Sequence, residues 1–527
     1  VIATEPLLVG MEGEAYGGLR ETHSGLVVFV GQTAYKLKKP VDLAFLDFRE
    51  PEVRRRVCRR ELELNRRLAA DVYVGVTDLP LADGSSEPAI VMRRMPDERR
   101  LATLVRRGEP VAGEVRRIAR VMAAFHARAE RGPEIAAEGG ATALRSRWRH
   151  NLAEVARFRG TLLDEDLVDE VDRLSSRYLD GREPLLAERV DTGHVIDGHG
   201  DLLADDIFCL PDGPRILDCL EFDDRLRRLD GLDDVACLAM DLERLGGPHL
   251  AAELMTAYRE FRADTYPDSL ADHYVAYRAF MRAKVTALRA EQARTGQEAA
   301  EATAEAVRLA ELARDHLRRG EVRLIAIGGA PGTGKSTLAR GLADRLGMVV
   351  LSSDRLRKEL AGINPEDHAA TGWNEGIYSP AWTARTYAEL LERATMLLAR
   401  GESVVLDASW TDPVQRAFVE DAARATSSAL TTLRCDVAPE VAAARIAARD
   451  DVSDADAIVA SRMRRAETPW RGAVTVDTGT TVADALEAAI SAVTAPATYE
   501  PGGSLVSRPP SHPDPQSLTS RPEGEPT

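Results

Sequence analysis

The sequence predicts a two-domain chain that joins an α+β unit to an α/β unit with a parallel sheet. Three observations carry this. Residues 26–79 mix short strands with one helix, and helical patterning fills most of 102–185 and 230–318 around a strand-rich stretch at 195–222. From about Glu321 to Val493 strand and helix signals alternate, which argues for a parallel sheet with helices on both faces. The alternation opens on Leu324-Ile-Ala-Ile-Gly-Gly-Ala-Pro-Gly-Thr-Gly-Lys-Ser-Thr-Leu338, a buried-strand pattern, a glycine-rich loop and a helix in immediate succession.

The elements follow in order. Val27–Val30 and Thr33–Leu37 flank Gly31-Gln32 and read as a hairpin. Residues 49–70 read as a helix with an apolar stripe at Val53, Val57, Leu64 and Leu68. Pro211-Asp-Gly-Pro214 turns the chain between Ile207–Leu210 and Arg215–Leu217. Met348–Leu351 reads as a second strand of the parallel sheet, and Gly401–Asp407 leads through a third. After Ala495 eight prolines lie among Ser and Gly, a composition that cannot bury a core. The expected division is 1–319, 320–494 and a disordered tail, 495–527.

Composition narrows the classes. A chain of 527 residues is too long for one small core, and 44% hydrophobic with 29% charged residues describes a globular protein. The net charge of −16 argues against a broad nucleic-acid or anionic-membrane surface. The basic run Arg54–Arg67 is interrupted by Glu61 and Glu63 and reads as a solvated helix face. Five scattered cysteines form no Cys-x-x-Cys pair, so a reducing cytoplasm and no zinc site are expected. No apolar run is long enough to span a membrane, and the first residues lack the pattern of a signal peptide.

Gly329-x4-Gly334-Lys335-Ser336 matches G-x-x-x-x-G-K-[ST] at every fixed position. Such a loop runs through Gly329, Ala330, Pro331, Gly332, Thr333, Gly334, Lys335, Ser336 and Thr337, and the backbone N–H groups of all of these but Pro331 can surround phosphate oxygens. The Lys335 ammonium reaches the β/γ-phosphates, and the Ser336 hydroxyl is a Mg²⁺ ligand. A bound nucleoside triphosphate, ATP with Mg²⁺, is the implied cofactor. Asp407 ends a buried strand, where a second metal-directed carboxylate is expected. Ala408 follows it, where motor ATPases place a Glu to polarise water, which favours transfer to a substrate over hydrolysis.

His199-Gly-Asp-Leu-Leu-Ala-Asp-Asp206 precedes the Pro211–Pro214 turn, and Ile216-Leu-Asp-Cys219 follows it. This resembles the catalytic core of the aminoglycoside phosphotransferase family, over roughly Gly17 to Arg319. The resemblance implies a bilobal protein-kinase-like fold. By it Asp201 is the base for a substrate hydroxyl and Asp218 holds Mg²⁺ on the triphosphate. The family's metal-binding Asn falls at Asp206, which departs from the pattern but remains an oxygen ligand. Lys36 stands where the family keeps its phosphate-pairing lysine, with Lys38 a competitor on the same strand face. Glu61 lies on the helix stripe and needs a partner if buried, for which Lys36 is the candidate. The alternative puts Glu61 at the stripe's edge. His199 is read as orienting the loop, and Asp234 as buttressing it. Glu21–Gly25 stands in place of a glycine-rich loop.

The second half resembles zeta-toxin-like and gluconate-kinase-like phosphate-loop kinases, over roughly 320–494. There the end of the second strand faces the γ-phosphate. Asp354 is a candidate base and Arg357 a candidate phosphate or substrate clamp. The alternative is that Ser353 or Asp354 only caps a helix beginning at Arg355. Arg445 and Arg449, four apart, suit a lid that stabilises transferring charge, or else a solvated helix face. Together the resemblances imply a tandem small-molecule kinase acting on a hydroxyl acceptor. Its rivals are a regulatory ATP-binding protein with a weakened amino-terminal site and a toxin-like nucleotide-sugar kinase.

Overall fold

Five strands open the described chain: β1 (Tyr16–Glu21), β2 (Gly25–Val30), β3 (Thr33–Lys38), β4 (Tyr73–Pro80) and β5 (Ser86–Arg93). The structure is a computed structural model and describes residues 16–21, 25–40, 48–81, 84–364, 375–448, 463 and 468–494. The five strands form an antiparallel sheet in the order β1-β2-β3-β5-β4. The β2–β3 hairpin turns at Gly31, whose φ of 56° lies in the left-handed region that glycine enters without a Cβ clash. The register sets Val27 opposite Lys36 and Gly25 opposite Lys38.

The helix Pro51–Ala69 crosses behind this sheet and starts with Pro51, whose missing N–H is no loss in a first turn. Its buried face comprises Arg54, Cys58, Glu61, Leu64, Asn65 and Ala69. The expected stripe of Val53, Val57, Leu64 and Leu68 is therefore rotated, with both valines and Leu68 only half-buried. The reason is chemical. The facing strand β3 presents two lysines, and ion pairing to them turns the polar members inward.

A helical lobe follows, built from Ala112–Arg128, Ala141–Val155, Glu165–Gly181, Glu183–Asp191, Gly231–Arg244, Pro248–Arg262, Asp268–Gln292 and Gly296–Arg319. Two small ribbons lie between its helices. β6 (Val195–Asp197) pairs with β9 (Arg228–Asp230), and β7 (Ile207–Leu210) pairs with β8 (Gly213–Ile216). Gly231–Arg244 is buried from Gly231 through Leu242, so it is the central pillar of the lobe.

β10 (Arg323–Gly328), β11 (Val349–Ser352), β12 (Val404–Asp407), β13 (Ala429–Asp436) and β14 (Val474–Asp477) make a wholly parallel sheet in the order β11-β12-β10-β13-β14. Alternate residues of β10 enter different cores. Ile325 and Ile327 pack with Leu338, Leu342 and Ala489, while Leu324 and Ala326 pack with the core that holds Leu356, Leu390 and Leu398. Helices thus cover both faces, as expected for continuous apolar parallel strands.

The second of these cores also contains Leu185, Val235, Tyr274 and Leu317 of the helical lobe. The described residues up to Val493 accordingly fall in one compact unit. Polar contacts tie the same seam. Arg177 donates from Nε to Ser427 O at 3.1 Å and pairs with Glu321 at 3.1 Å. Buried Arg182 donates to Leu398 O, and Ser269 Oγ donates to Gly401 O at 2.8 Å. The tail beyond 494 and Arg449 lie outside the described residues.

Candidate active sites

The first site lies where the β-sheet meets the helical lobe. Lys36 and Lys38 alternate with Leu37 on β3, so both amines leave one face of the strand. Fully buried Glu61 takes one on each oxygen, Lys36 Nζ at 2.7 Å and Lys38 Nζ at 2.6 Å. Both lysines thus pair with Glu61. Lys36 also reaches Asp218 Oδ1 at 2.5 Å, and Lys38 reaches Glu221 Oε1 at 2.5 Å. Burial opposes the charge on Glu61, but Lys36 and then Lys38 outweigh it and hold the carboxyl below its ordinary range. Burial likewise opposes the charge on Lys36, and Asp218 and Glu61 lift it well above its ordinary value.

Asp218 follows β8 with φ at 63°, a left-handed conformation that costs energy for a residue with a Cβ. Two groups absent from the sequence reading hold it there. Asp218 N donates to Tyr73 Oη at 3.2 Å, and Cys219 N donates to Asn65 Oδ1 at 2.9 Å. Asn65 stands one turn beyond Glu61 and donates back to its carbonyl at 2.9 Å. That spacing was the available signal. Tyr73 carried none.

The loop His199–Asp206 is pinned from beneath. Buried Asp234 accepts from His199 N at 2.6 Å and Gly200 N at 2.9 Å. Burial works against its charge, but His126 and then His199 hold the carboxyl well below its ordinary range. His199 is wholly buried, which lowers its pKa and keeps it neutral, so Nε2 carries the proton donated to Leu217 O at 3.0 Å. His199 thereby links the loop of Asp201 to the strand end of Asp218.

Arg282 donates to Asp201 Oδ1 at 3.2 Å, and Arg278 donates to Gly200 O at 2.8 Å. Asp206 sits at the end of the loop. Burial, then the charges of Asp218 and Asp201, push its carboxyl well above the ordinary range. The three carboxylates therefore act on one another electrostatically. Asp205 turns elsewhere, to Arg106 at 3.4 Å.

The second site is the loop between β10 and the helix Lys335–Leu346. Gly329, Gly332 and Gly334 take φ of 144°, 85° and 84°. A Cβ on Gly332 would stand 2.6 Å from Ala442 O. Buried Thr333 closes the turn by donating to Ala330 O at 2.8 Å. Lys335, Ser336 and Thr337 form the first helical turn.

Asp407 ends β12, pairs in register with Ile327, and is 5% exposed. Its Oδ1 has no partner. Burial raises its pKa against the opposing pull of Lys335 and Ser336, and Asp354 raises it further. Asp354 is thus electrostatically beside Asp407. It lies in the first turn of the helix Ser353–Leu360, whose N-cap Ser352 makes no side-chain cap bond. The cap at Ser353 or Asp354 is corrected: the helix starts two residues before Arg355, because Ser352 still belongs to β11.

Arg357 is held by the segment before and at the start of the helix Pro380–Ala399. It is buried, donates to Ile377 O at 2.7 Å and Thr383 Oγ1 at 3.1 Å, and lies over the Tyr378 ring. In that position it anchors the 377–383 segment. Arg445, on the helix Pro439–Ala447, reaches the phosphate loop. It donates to Thr478 O at 2.8 Å, and its NH1 is 3.5 Å from where a Cβ on Gly334 would stand. Thr478 Oγ1 in turn donates to Thr333 O at 2.6 Å, so Arg445 and the loop share one bracket.

Among the described residues no three His, Cys, Asp or Glu side chains stand close enough to enclose a metal ion, and no helix is long and apolar enough to cross a membrane. A family described as an AAA domain matches residues 324–469. The chain is similar in structure to the GDP complex of aminoglycoside 2'-phosphotransferase-IIIa, with 17% identity, 59% of this chain and 97% of that one covered, and a TM-score of 0.37. It is also similar to a gluconokinase from Sinorhizobium meliloti 1021, with 20% identity, coverage of 32% and 91%, and a TM-score of 0.25. In sequence it is 43% identical over 467 residues to uncharacterized protein Mb2027c of Mycobacterium bovis and to uncharacterized protein Rv2004c of Mycobacterium tuberculosis, covering 88% of this chain and 93% of each relative. At that identity over nearly its whole length, the chain belongs to the family of these two mycobacterial proteins.

Proposed function

We propose that the chain is a tandem ATP-dependent phosphotransferase, with each site moving the γ-phosphate of Mg·ATP to the hydroxyl of a small-molecule acceptor. The observation that carries this reading is the meeting of Lys36, Glu61, Asp218 and the Asp201 loop, from four separate segments. The phosphate loop supplies the second site on independent grounds.

The donor sets fit Mg²⁺. In the first site burial, then the charges of Asp218 and Asp201, push the Asp206 carboxyl above its ordinary range, which a hard cation would relieve. In the second, the buried and unpartnered Asp407 Oδ1 sits beside Ser336. Among the described residues no three carboxylates stand close enough to enclose an ion, which suits one that also takes phosphate oxygens and water. Asp218 with Asp206, and Ser336 with Asp407, would hold it, and it would neutralise charge on the transferring phosphate. The chain's own residues do the rest. Lys36, fixed by Glu61, orients the triphosphate. Asp201 orients the acceptor hydroxyl and accepts its proton. In the second site Asp354 takes that part, Lys335 binds the β/γ-phosphates, and Arg445 stabilises charge that develops during transfer. Arg449 is proposed for the same role from sequence alone.

The domain division at 319/320 remains part of this proposal, with the helix Gly296–Arg319 as the junction. Five buried cysteines, their thiols pushed up to about 12 by burial, suit a reducing cytoplasm. A second reading, a regulatory site without turnover, is favoured by Asp206 in place of Asn. Phosphate transfer by the full chain from labelled ATP to a panel of sugars, aminoglycosides and nucleotide sugars decides between them. Transfer lost in Asp201→Asn supports the first reading. Binding of ATP with no transfer to any acceptor supports the second.

A further inference from the structure

The helix Asp268–Gln292 runs beside the Asp201 loop and lays a row of arginines along it. Arg278 donates to Gly200 O at 2.8 Å and pairs with Asp233 at 2.7 Å. Arg282, one turn on, pairs with Asp201 at 3.2 Å. Arg289 follows seven residues later, which returns it to the same face about 10 Å farther along the axis.

Arg289 differs from its neighbours in one respect. It is exposed, and among the described residues it makes no hydrogen bond or ion pair. The nearby Arg244 is already matched, to Asp241 at 2.7 Å and Glu305 at 3.1 Å. Desolvation, then the like charges of Arg282 and Arg244, disfavour the Arg289 cation, with Asp201 the opposing charge. Arg289 is thus a guanidinium without a protein partner on the helix face that carries Arg282 and, through it, Asp201. An anionic ligand group is what would complete it, and the guanidinium fork matches two oxygens of one oxyanion.

We propose that the hydroxyl acceptor of the first site carries a compact oxyanion, phosphate or carboxylate, received by Arg289 with Arg282 beside it. The inference rests on the phosphotransferase reading above and names its substrate class. The acceptor is then a phosphorylated or acidic small molecule, not a cationic amine-bearing one. Arg282 holds Asp201 until the acceptor arrives, and the acceptor's hydroxyl is directed to Asp201 by the anchoring of its anionic end.

The test is calorimetric titration of inorganic phosphate, and separately acetate, into the full-length protein saturated with Mg·ADP. Wild type, Arg289→Ala and Arg289→Lys are compared. The expected result is an oxyanion site weakened at least about tenfold by Arg289→Ala and less by Arg289→Lys. Phosphate binding assigns a phosphorylated acceptor, and acetate binding alone assigns a carboxylate. No oxyanion binding, or binding equal in wild type and Arg289→Ala, overturns the inference. Arg289 is exposed, so the variant is expected to melt as wild type does. Mg·ADP titrated into full-length Lys335→Ala separates the two failures. If no nucleotide binds there, the phosphotransferase reading of this half fails. If nucleotide binds but the anion ignores Arg289, only the acceptor inference fails.

Discussion

Lys36 Nζ lies 2.5 Å from Asp218 Oδ1, joining residues 182 positions apart in sequence. The strand lysine and the carboxylate proposed to hold Mg²⁺ thus close on each other, with Glu61 behind the lysine. A metal–nucleotide bound between them would divide the pair, with Lys36 on phosphate and Asp218 on the ion. Asp218 and Asp201 should therefore fail differently. In full-length Lys335→Ala, Asp218→Ala is expected to abolish Mg²⁺-dependent nucleotide binding. Asp201→Asn is expected to leave that binding intact and to slow transfer by about 10²–10⁴. Calorimetry and single-turnover transfer read the two. Equal loss of binding in both variants would contradict the assignment.

Glu61 carries two buried amines on one carboxylate. Glu61→Gln removes the charge that compensates both, and is expected to cost about 3–5 kcal/mol of stability. Urea unfolding measures this. A loss below about 1 kcal/mol would mean that the lysines relax to Asp218, Glu221 or water at little cost.

His316 sits between Asp272 at 2.7 Å and Glu243 at 3.1 Å, with Arg319 also on Asp272. Burial opposes its charge, but Asp272 and then Glu243 raise its pKa above the ordinary 6.5. The sign follows from linkage. A raised folded-state pKa contributes stability that is full below 6.5 and is lost as pH rises through the folded value. The unfolding midpoint should fall across that window in wild type and stay flatter in His316→Gln. Because this helix end leads into β10, the measurement also reports on the seam between the halves.

That seam bears on how the protein is dissected. Separating 1–319 from 320–494 exposes core residues such as Leu185 and Leu398 and strands the buried guanidinium of Arg182. Burial without a carboxylate partner already lowers the Arg182 pKa to about 10. Each isolated half is expected to melt below the full chain, which should unfold in one transition. Two well-separated transitions in the full chain would contradict a shared core.

Much of this was legible in the sequence, and the rest failed for identifiable reasons. The β2–β3 hairpin, the phosphate loop and the His199–Asp206 loop are local patterns, and they form where their residues place them. The Pro51–Ala69 helix was found but rotated, because the valine stripe signals apolar burial while two lysines on β3 call for a polar face. The partners of Arg357, Ile377 and Thr383, lie on a segment that spacing does not link to it. Tyr73, Asn65 and Arg282 act on residues 81 to 154 positions away, beyond any periodicity.

The central claim is that one chain carries two nucleotide sites of different construction. The number of Mg·ADP molecules bound by the full-length protein tests it most directly, measured by calorimetry in wild type, Lys335→Ala, Asp218→Ala and the double variant. Two sites in wild type, one in each single variant and none in the double variant are expected. A single site that disappears in Lys335→Ala and is untouched by Asp218→Ala would contradict the account.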